Sequence, residues 1–270
     1  MSYRIAPRPV AAPGGDPWPR GDRPGTLRAP PDHLQEPFVS SPQFATAPAQ
    51  TVTAARGFLA DVFGWMFVGL GITAGLAAFF ASQNNMLEYI NQHQGVLIAV
   101  IVAQFGLVIA LVAGLNKFSA STARLLFCLY AATMGFTFSI ILETYSSATI
   151  ASTFAVTAGM FGGAALFGWV TNKDLTIVGQ VVLFLLIGLI LTMVVNLFIG
   201  SSTLEYVFSA VGVVLFTALT AYDMQKIKQV AAQATGTGEA ERKYAIMGAL
   251  ALYLDFINLF MFLLRLQGGR

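Results

Sequence analysis

Seven apolar runs of about twenty residues follow one another along this chain, at residues 57–81, 95–115, 122–143, 149–170, 178–199, 204–225 and 243–265. About twenty consecutive apolar residues in a helix cross the ~30 Å hydrocarbon core of a bilayer. In lipid a helix satisfies every backbone N–H and C=O within its own segment, which leaves few alternative folds for such runs. The pattern predicts an all-α integral membrane protein with seven transmembrane helices. Composition agrees: 56% of residues are hydrophobic and only 10% are charged, against about 25% charged in an ordinary soluble domain.

The same residues exclude several chemistries. The net charge is only +2 and the basic residues are scattered, so no nucleic-acid partner is expected. One cysteine, Cys128, allows neither an internal disulfide nor a thiolate metal cluster. His33 and His93 fall outside the apolar runs, so no histidine metal site is expected within the membrane and no cofactor is implied. All eleven prolines lie between Pro7 and Pro48. Residues 1–52 therefore read as a disordered Pro-, Gly- and Ala-rich cytoplasmic tail, and residues 53–270 as the membrane domain. In the tail Arg4, Arg8, Arg20, Arg23 and Arg28 are partly offset by Asp16, Asp22, Asp32 and Glu36. It lacks the apolar core of a secretory signal peptide. A polyproline ligand for a partner is the alternative reading of its composition.

Orientation follows from the loops. With the N-terminus inside, the cytoplasmic loops hold Arg56, Lys117, Arg124, Lys173, Lys226, Lys228, Arg242 and Lys243, while the outer loops at 82–94, 144–148 and 200–203 hold no Lys or Arg. The positive-inside rule then places the N-terminus in the cytoplasm. Seven spans put the C-terminus outside, where Arg265 and Arg270 are the exceptions.

Within the runs, small residues recur every four positions at Ala151, Ala155, Gly159 and Gly163, with a shorter version at Gly71 and Gly75. Such stripes predict close helix approach. The fifth run is apolar nearly all round and is expected to face lipid. Gln104 and Asn196 are expected to bond neighbouring helices, and Asp61 reads as an interfacial charge. Arg265 is expected to pair with Glu143 or Glu205 at the outer side.

Two aspartates differ from these because of their depth. Asp223 in TAYD and Asp255 in LYLDFIN lie on the sixth and seventh runs. Carboxylates inside a membrane span are costly, and they mark ion or proton pathways more often than packing. An antiparallel hairpin turning near Gly236-Thr237-Gly238 puts Asp223 14 residues before Thr237 and Asp255 18 after it. At ~1.5 Å rise per residue the four-residue difference is about 6 Å in height, which tilt can absorb. The two carboxylates can therefore occupy one layer, with Asn258 on the same helix face as Asp255. Two carboxylates in a low dielectric cannot both ionise cheaply, so they share a proton and titrate as a unit. Proton concentration then switches the pair between a cation-binding and a hydrogen-bonded state. Lys117 or Arg124, on the same cytoplasmic side, is the candidate salt-bridge latch to Asp223. The alternative to function is a polar network that fixes packing.

The strings TAYDMQKIK, ALYLDFINLFMFLLR, LYAATMGFTFSII and STFAVTAGMFGGAALFGW resemble the Bax inhibitor-1 family, specifically its bacterial, YccA-like branch of transmembrane Bax inhibitor motif proteins. The resemblance runs from about Arg56 to the C-terminus. It implies seven helices arranged as two groups of three around a central C-terminal helix, in the bacterial inner membrane. It also implies a calcium-permeable, pH-sensitive leak whose two aspartates correspond to Asp223 and Asp255, which would hold calcium only transiently. The family's basic latch residue falls about at Lys117, where this chain has Lys rather than Arg and so lacks the bidentate fork. Some bacterial relatives are associated with the membrane protease FtsH.

Two other functions compete with the leak. One is an interaction protein that modulates FtsH, with the tail as its contact. The other is an intramembrane aspartyl protease, since two carboxylates on adjacent spans suit acid–base hydrolysis. Those enzymes carry Gly-x-Gly-Asp where this chain has Tyr253-Leu254-Asp255, and a Pro-Ala-Leu element, whereas no proline follows Pro48. The chain is expected not to be an enzyme.

Overall fold

The computed structural model describes residues 43–83, 86–236 and 238–268. Eight helices are present among them: α1 (Gln43–Ala81), α2 (Met86–Gln92), α3 (Gln94–Gly114), α4 (Ala120–Thr144), α5 (Ser147–Val170), α6 (Thr176–Ile199), α7 (Ser202–Ala231) and α8 (Glu239–Gly268). Seven of them are long and apolar enough to cross a membrane, as the sequence predicts, with the first span at Val52–Ala81. Two differences stand out. The seven-residue α2 lies within the loop between the first two spans, too short and polar to register as an apolar run. Helix α1 begins at Gln43, so the expected tail boundary at residue 52 falls inside a helix. The first 42 residues lie outside the described residues.

Local chemistry starts and stops these helices. Ser119, Ser146 and Ser201 each accept a hydrogen bond at the N-terminus of α4, α5 and α7, from the backbone N–H of Thr122, Thr149 and Leu204. Each cap satisfies one of the amide donors a helix start leaves free. Gly200 ends α6 in the left-handed region at φ 67°, the conformation glycine adopts without a Cβ penalty. Between α7 and α8, Gly236 takes φ 86°. There the Glu241 carboxylate accepts from the N–H groups of Thr235 and Gly236, closing the linker onto the first turn of α8.

The helices pack in two groups about α8. Helix α1 packs on α4, and α4 on α3; α7 packs on both α5 and α6. Helix α8 touches α1 and α4 from the first group and α5 and α7 from the second. Its central position is visible in burial: 67% of its apolar window is buried inside the protein, against 6% for α3 and 11% for α6. Helix α6, the fifth span, presents Phe184, Leu191, Leu197 and Phe198 outward, as its all-round apolarity predicts. The antiparallel alternation of spans gathers the basic loops at one end of the bundle.

The small-residue stripes do not pack as expected. Ala151, Ala155, Gly159 and Gly163 are exposed, and a Cβ added at Gly159 or Gly163 would meet nothing within 4 Å. Helix α5 instead buries Thr153, Thr157, Phe161, Ala164 and Gly168. Its close approach is at Gly168, where an added Cβ would strike the Ala221 backbone of α7. Likewise Gly71 and Gly75 are open, and Gly69 makes the contact on α1, against Phe127 and Tyr253. Spacing alone identifies a face without saying which neighbour covers it. In α5 the threonine face wins, because Thr153 and Thr157 satisfy their hydroxyls on the carbonyls of Thr149 and Thr153 and can then be buried at no polar cost.

Gln104 donates to the Thr133 carbonyl and to the Thr137 hydroxyl of α4, as expected. Asn196 reaches only the start of the next helix among the described residues: its Oδ1 accepts from the N–H of Ser201, the N-cap of α7. Asp61 is exposed. Among the described residues Arg265 makes no ion pair with Glu143 or Glu205, and its guanidinium stands 5.8 Å from the Phe262 ring instead.

Candidate functional site

The site is built on the α7–α8 hairpin. Asp255 lies midway along α8 with 3% of its surface exposed. It is there because α8 is buried on nearly all sides, under α1, α4, α5 and α7, with its own Leu252, Tyr253, Phe256 and Leu259 buried likewise. Asp223 sits on α7 nearer the basic end. The hairpin makes the two carboxylates electrostatic neighbours. Helices α7 and α8 pack on each other as the expected hairpin.

Their surroundings differ. Asp223 is paired with Lys226 of its own helix, Nζ to Oδ1 at 4.0 Å, with side-chain exposures of 58% for the lysine and 19% for the aspartate. A pair with so exposed a partner contributes only ~0–1 kcal/mol and exchanges readily with water. Asp255 has no such partner: its Oδ2 is buried and unbonded among the described residues. The Thr220 hydroxyl, which donates to the Phe216 carbonyl, also faces the Asp255 carboxylate. An unpaired buried carboxylate oxygen costs free energy.

The other expected site residues are placed as follows. Asn258 turns its Nδ2 onto the Leu254 carbonyl of its own helix at 2.8 Å. Lys117 is exposed in the α3–α4 turn. Arg124 lies over the Trp65 ring at 5.4 Å with its Nε buried and unbonded. Among the described residues Asp223 is therefore held by Lys226 rather than by Lys117 or Arg124.

Three residues around the site were not singled out from sequence. Thr220 is one turn from Asp223, an i, i+3 spacing that could have revealed it. Gln225, buried two residues beyond Asp223, accepts from the Leu175 N–H at 2.9 Å and donates to the Lys173 carbonyl at 2.8 Å. It thereby pins the α5–α6 loop to α7. Tyr253, two residues before Asp255, meets the Thr73 hydroxyl at 2.6 Å, and Thr73 donates to the Ala131 carbonyl. This chain of bonds joins α8, α1 and α4. Neither Gln225 nor Tyr253 has a sequence signal, because their partners lie 50 to 180 positions away.

Among the described residues no three His, Cys, Asp or Glu side chains gather at one point. The donor set is thus two carboxylates, well short of the 6–8 oxygens calcium prefers.

Comparison with known proteins adds the kinship. The family described as Inhibitor of apoptosis-promoting Bax1 matches residues 55–270. The inner membrane protein YbhL of Escherichia coli K12 is 45% identical over 214 residues, covering 79% of this chain and 92% of that protein. An uncharacterized protein of Deinococcus radiodurans is 42% identical over 231 residues, covering 86% and 98%. Another from Borreliella burgdorferi is 42% identical over 226 residues, covering 83% and 97%.

Proposed function

This chain belongs to the Bax inhibitor-1 family of membrane proteins, and from that premise we propose that it is a pH-sensitive, calcium-permeable leak gated by the Asp223–Asp255 pair. The observation that carries this reading is the buried, unbonded Oδ2 of Asp255 beside Asp223. A proton or a passing cation can satisfy that oxygen, and the two compete for it. Lys226 is the basic group that neutralises Asp223 when no cation is present, in place of the Lys117 or Arg124 latch. The basic loops at one end support a cytoplasmic N-terminus, and the relative named an inner membrane protein supports the same location here.

The test is calcium flux into liposomes holding the full chain, measured across pH for wild type, Asp223→Asn and Asp255→Asn. The reading expects pH-dependent flux in wild type, with loss of flux or of its pH dependence in both variants. Unchanged flux and pH dependence in both variants overturns it. A chain that conducts nothing would instead direct attention to the FtsH association that the family resemblance implies, tested by recovery of that protease from solubilised membranes.

A further inference from the structure

The seam between the two helix groups is open on one side. Between α1 and α5 runs a groove of about 840 Å³, walled by residues such as Leu59, Phe63 and Phe67 on α1 and Phe154 and Trp169 on α5, and no lining residue is charged. Its lining residues run from Leu59 to Ala74 on one helix and from Phe154 to Trp169 on the other. Fifteen residues at ~1.5 Å rise make the groove roughly 22 Å long, longer than one leaflet of a ~30 Å hydrocarbon core. A methylene is about the size of a water molecule, whose share of liquid is roughly 30 Å³. The groove therefore has room for a full acyl chain with space to spare.

One end of the groove is cationic. Lys228 donates to the Trp169 carbonyl at 2.6 Å and stands 5.9 Å from the Trp169 ring. Its ammonium retains two further donors. On the facing helix, exposed Arg56 lies three residues before Leu59. Neither is in an ion pair among the described residues. An apolar slot of acyl-chain length that ends at a tryptophan and two cations outside any ion pair among the described residues matches a lipid carrying a phosphate.

We propose that this groove binds one acyl chain of an anionic phospholipid, with the phosphate held by Arg56 and Lys228. Met224 and Phe256 also line it, and each directly follows one of the two aspartates. On the leak reading above, the bound chain then lies against the residues next to the gate. The binding itself does not depend on that reading.

The experiment is native mass spectrometry of the full chain in mild detergent, with equal concentrations of dioleoylphosphatidylglycerol and dioleoylphosphatidylcholine. Wild type is expected to retain one phosphatidylglycerol with about 30-fold preference, the effect of two basic side chains near an anionic headgroup. Arg56→Gln with Lys228→Gln is expected to bring the preference to about one. Ala158→Trp and Gly162→Phe, which grow into the slot, are expected to lose the retained lipid; an added Cβ at Gly162 meets nothing within 4 Å. Equal retention of both lipids by wild type overturns the proposal, as does full retention of phosphatidylglycerol by both slot-filling variants. Lipid retention is read without any flux, so a failed leak and a failed lipid site are told apart.

Discussion

The Tyr253 hydroxyl meets the Thr73 hydroxyl at 2.6 Å, and this bond ties the central helix to the first helix group two residues from Asp255. Thr73 spends its own proton on the Ala131 carbonyl at 2.9 Å, so Tyr253 is the donor between them. The bond should act as a brace for the site. Interhelical hydrogen bonds in membranes are worth ~0.6 kcal/mol on average and up to about 1.7. Tyr253→Phe and Thr73→Val are expected each to lower stability on that scale. Their double-mutant cycle should show coupling of about 0.5–1.5 kcal/mol in reversible unfolding from detergent. Additive effects would mean the bond contributes nothing.

Asp255 offers a test that separates function from packing. Its buried Oδ2 has no hydrogen-bond partner among the described residues, so replacing the acid should relieve a cost. Asp255→Asn and Asp255→Leu are expected to hold stability or raise it by about 1–3 kcal/mol, while flux is lost. A trade of function against stability is the mark of a site maintained for its chemistry. If both substitutions destabilise the protein by that amount, Asp255 is a packing residue.

Gly168 and Gly163 lie on one helix with opposite surroundings. A Cβ at Gly168 would collide with the Ala221 backbone, which cannot yield without moving α7. Gly168→Ala is expected to cost about 1–3 kcal/mol, the range for overpacking. Gly163→Ala, in open space, should be neutral or stabilising by up to about 1 kcal/mol, since alanine is the better helix former. Thermal unfolding of the two variants checks both signs.

Gln225 holds the α5–α6 loop through the Leu175 N–H and the Lys173 carbonyl. Gln225→Leu leaves both groups without their side-chain partner. Hydrogen exchange at the Leu175 amide should then speed up by roughly 5- to 30-fold, equivalent to the ~1–2 kcal/mol of a lost buried hydrogen bond. Exchange unchanged at Leu175 would show that the loop is held by its own turn.

The apolar runs by themselves determined the seven spans, because a bilayer leaves the backbone few alternatives to a helix of that length. They also singled out Asp223 and Asp255, since a charge inside such a run is conspicuous whatever surrounds it. The fifth span's lipid-facing character and the Gln104 contact were legible for the same reason. Only the tertiary structure decided which glycine makes each close approach, because stripes at 151–163 and a single Gly168 both satisfy the spacing and only the neighbouring helix chooses between them. It alone showed that Lys226 takes Asp223 while Arg124 lies on Trp65, since positive charge in a loop says nothing of where a long side chain reaches. The braces from Tyr253 and Gln225 arise from residues distant in sequence. The α1–α5 groove belongs to neither helix, and it exists only because two groups of three meet along a central helix without closing the seam.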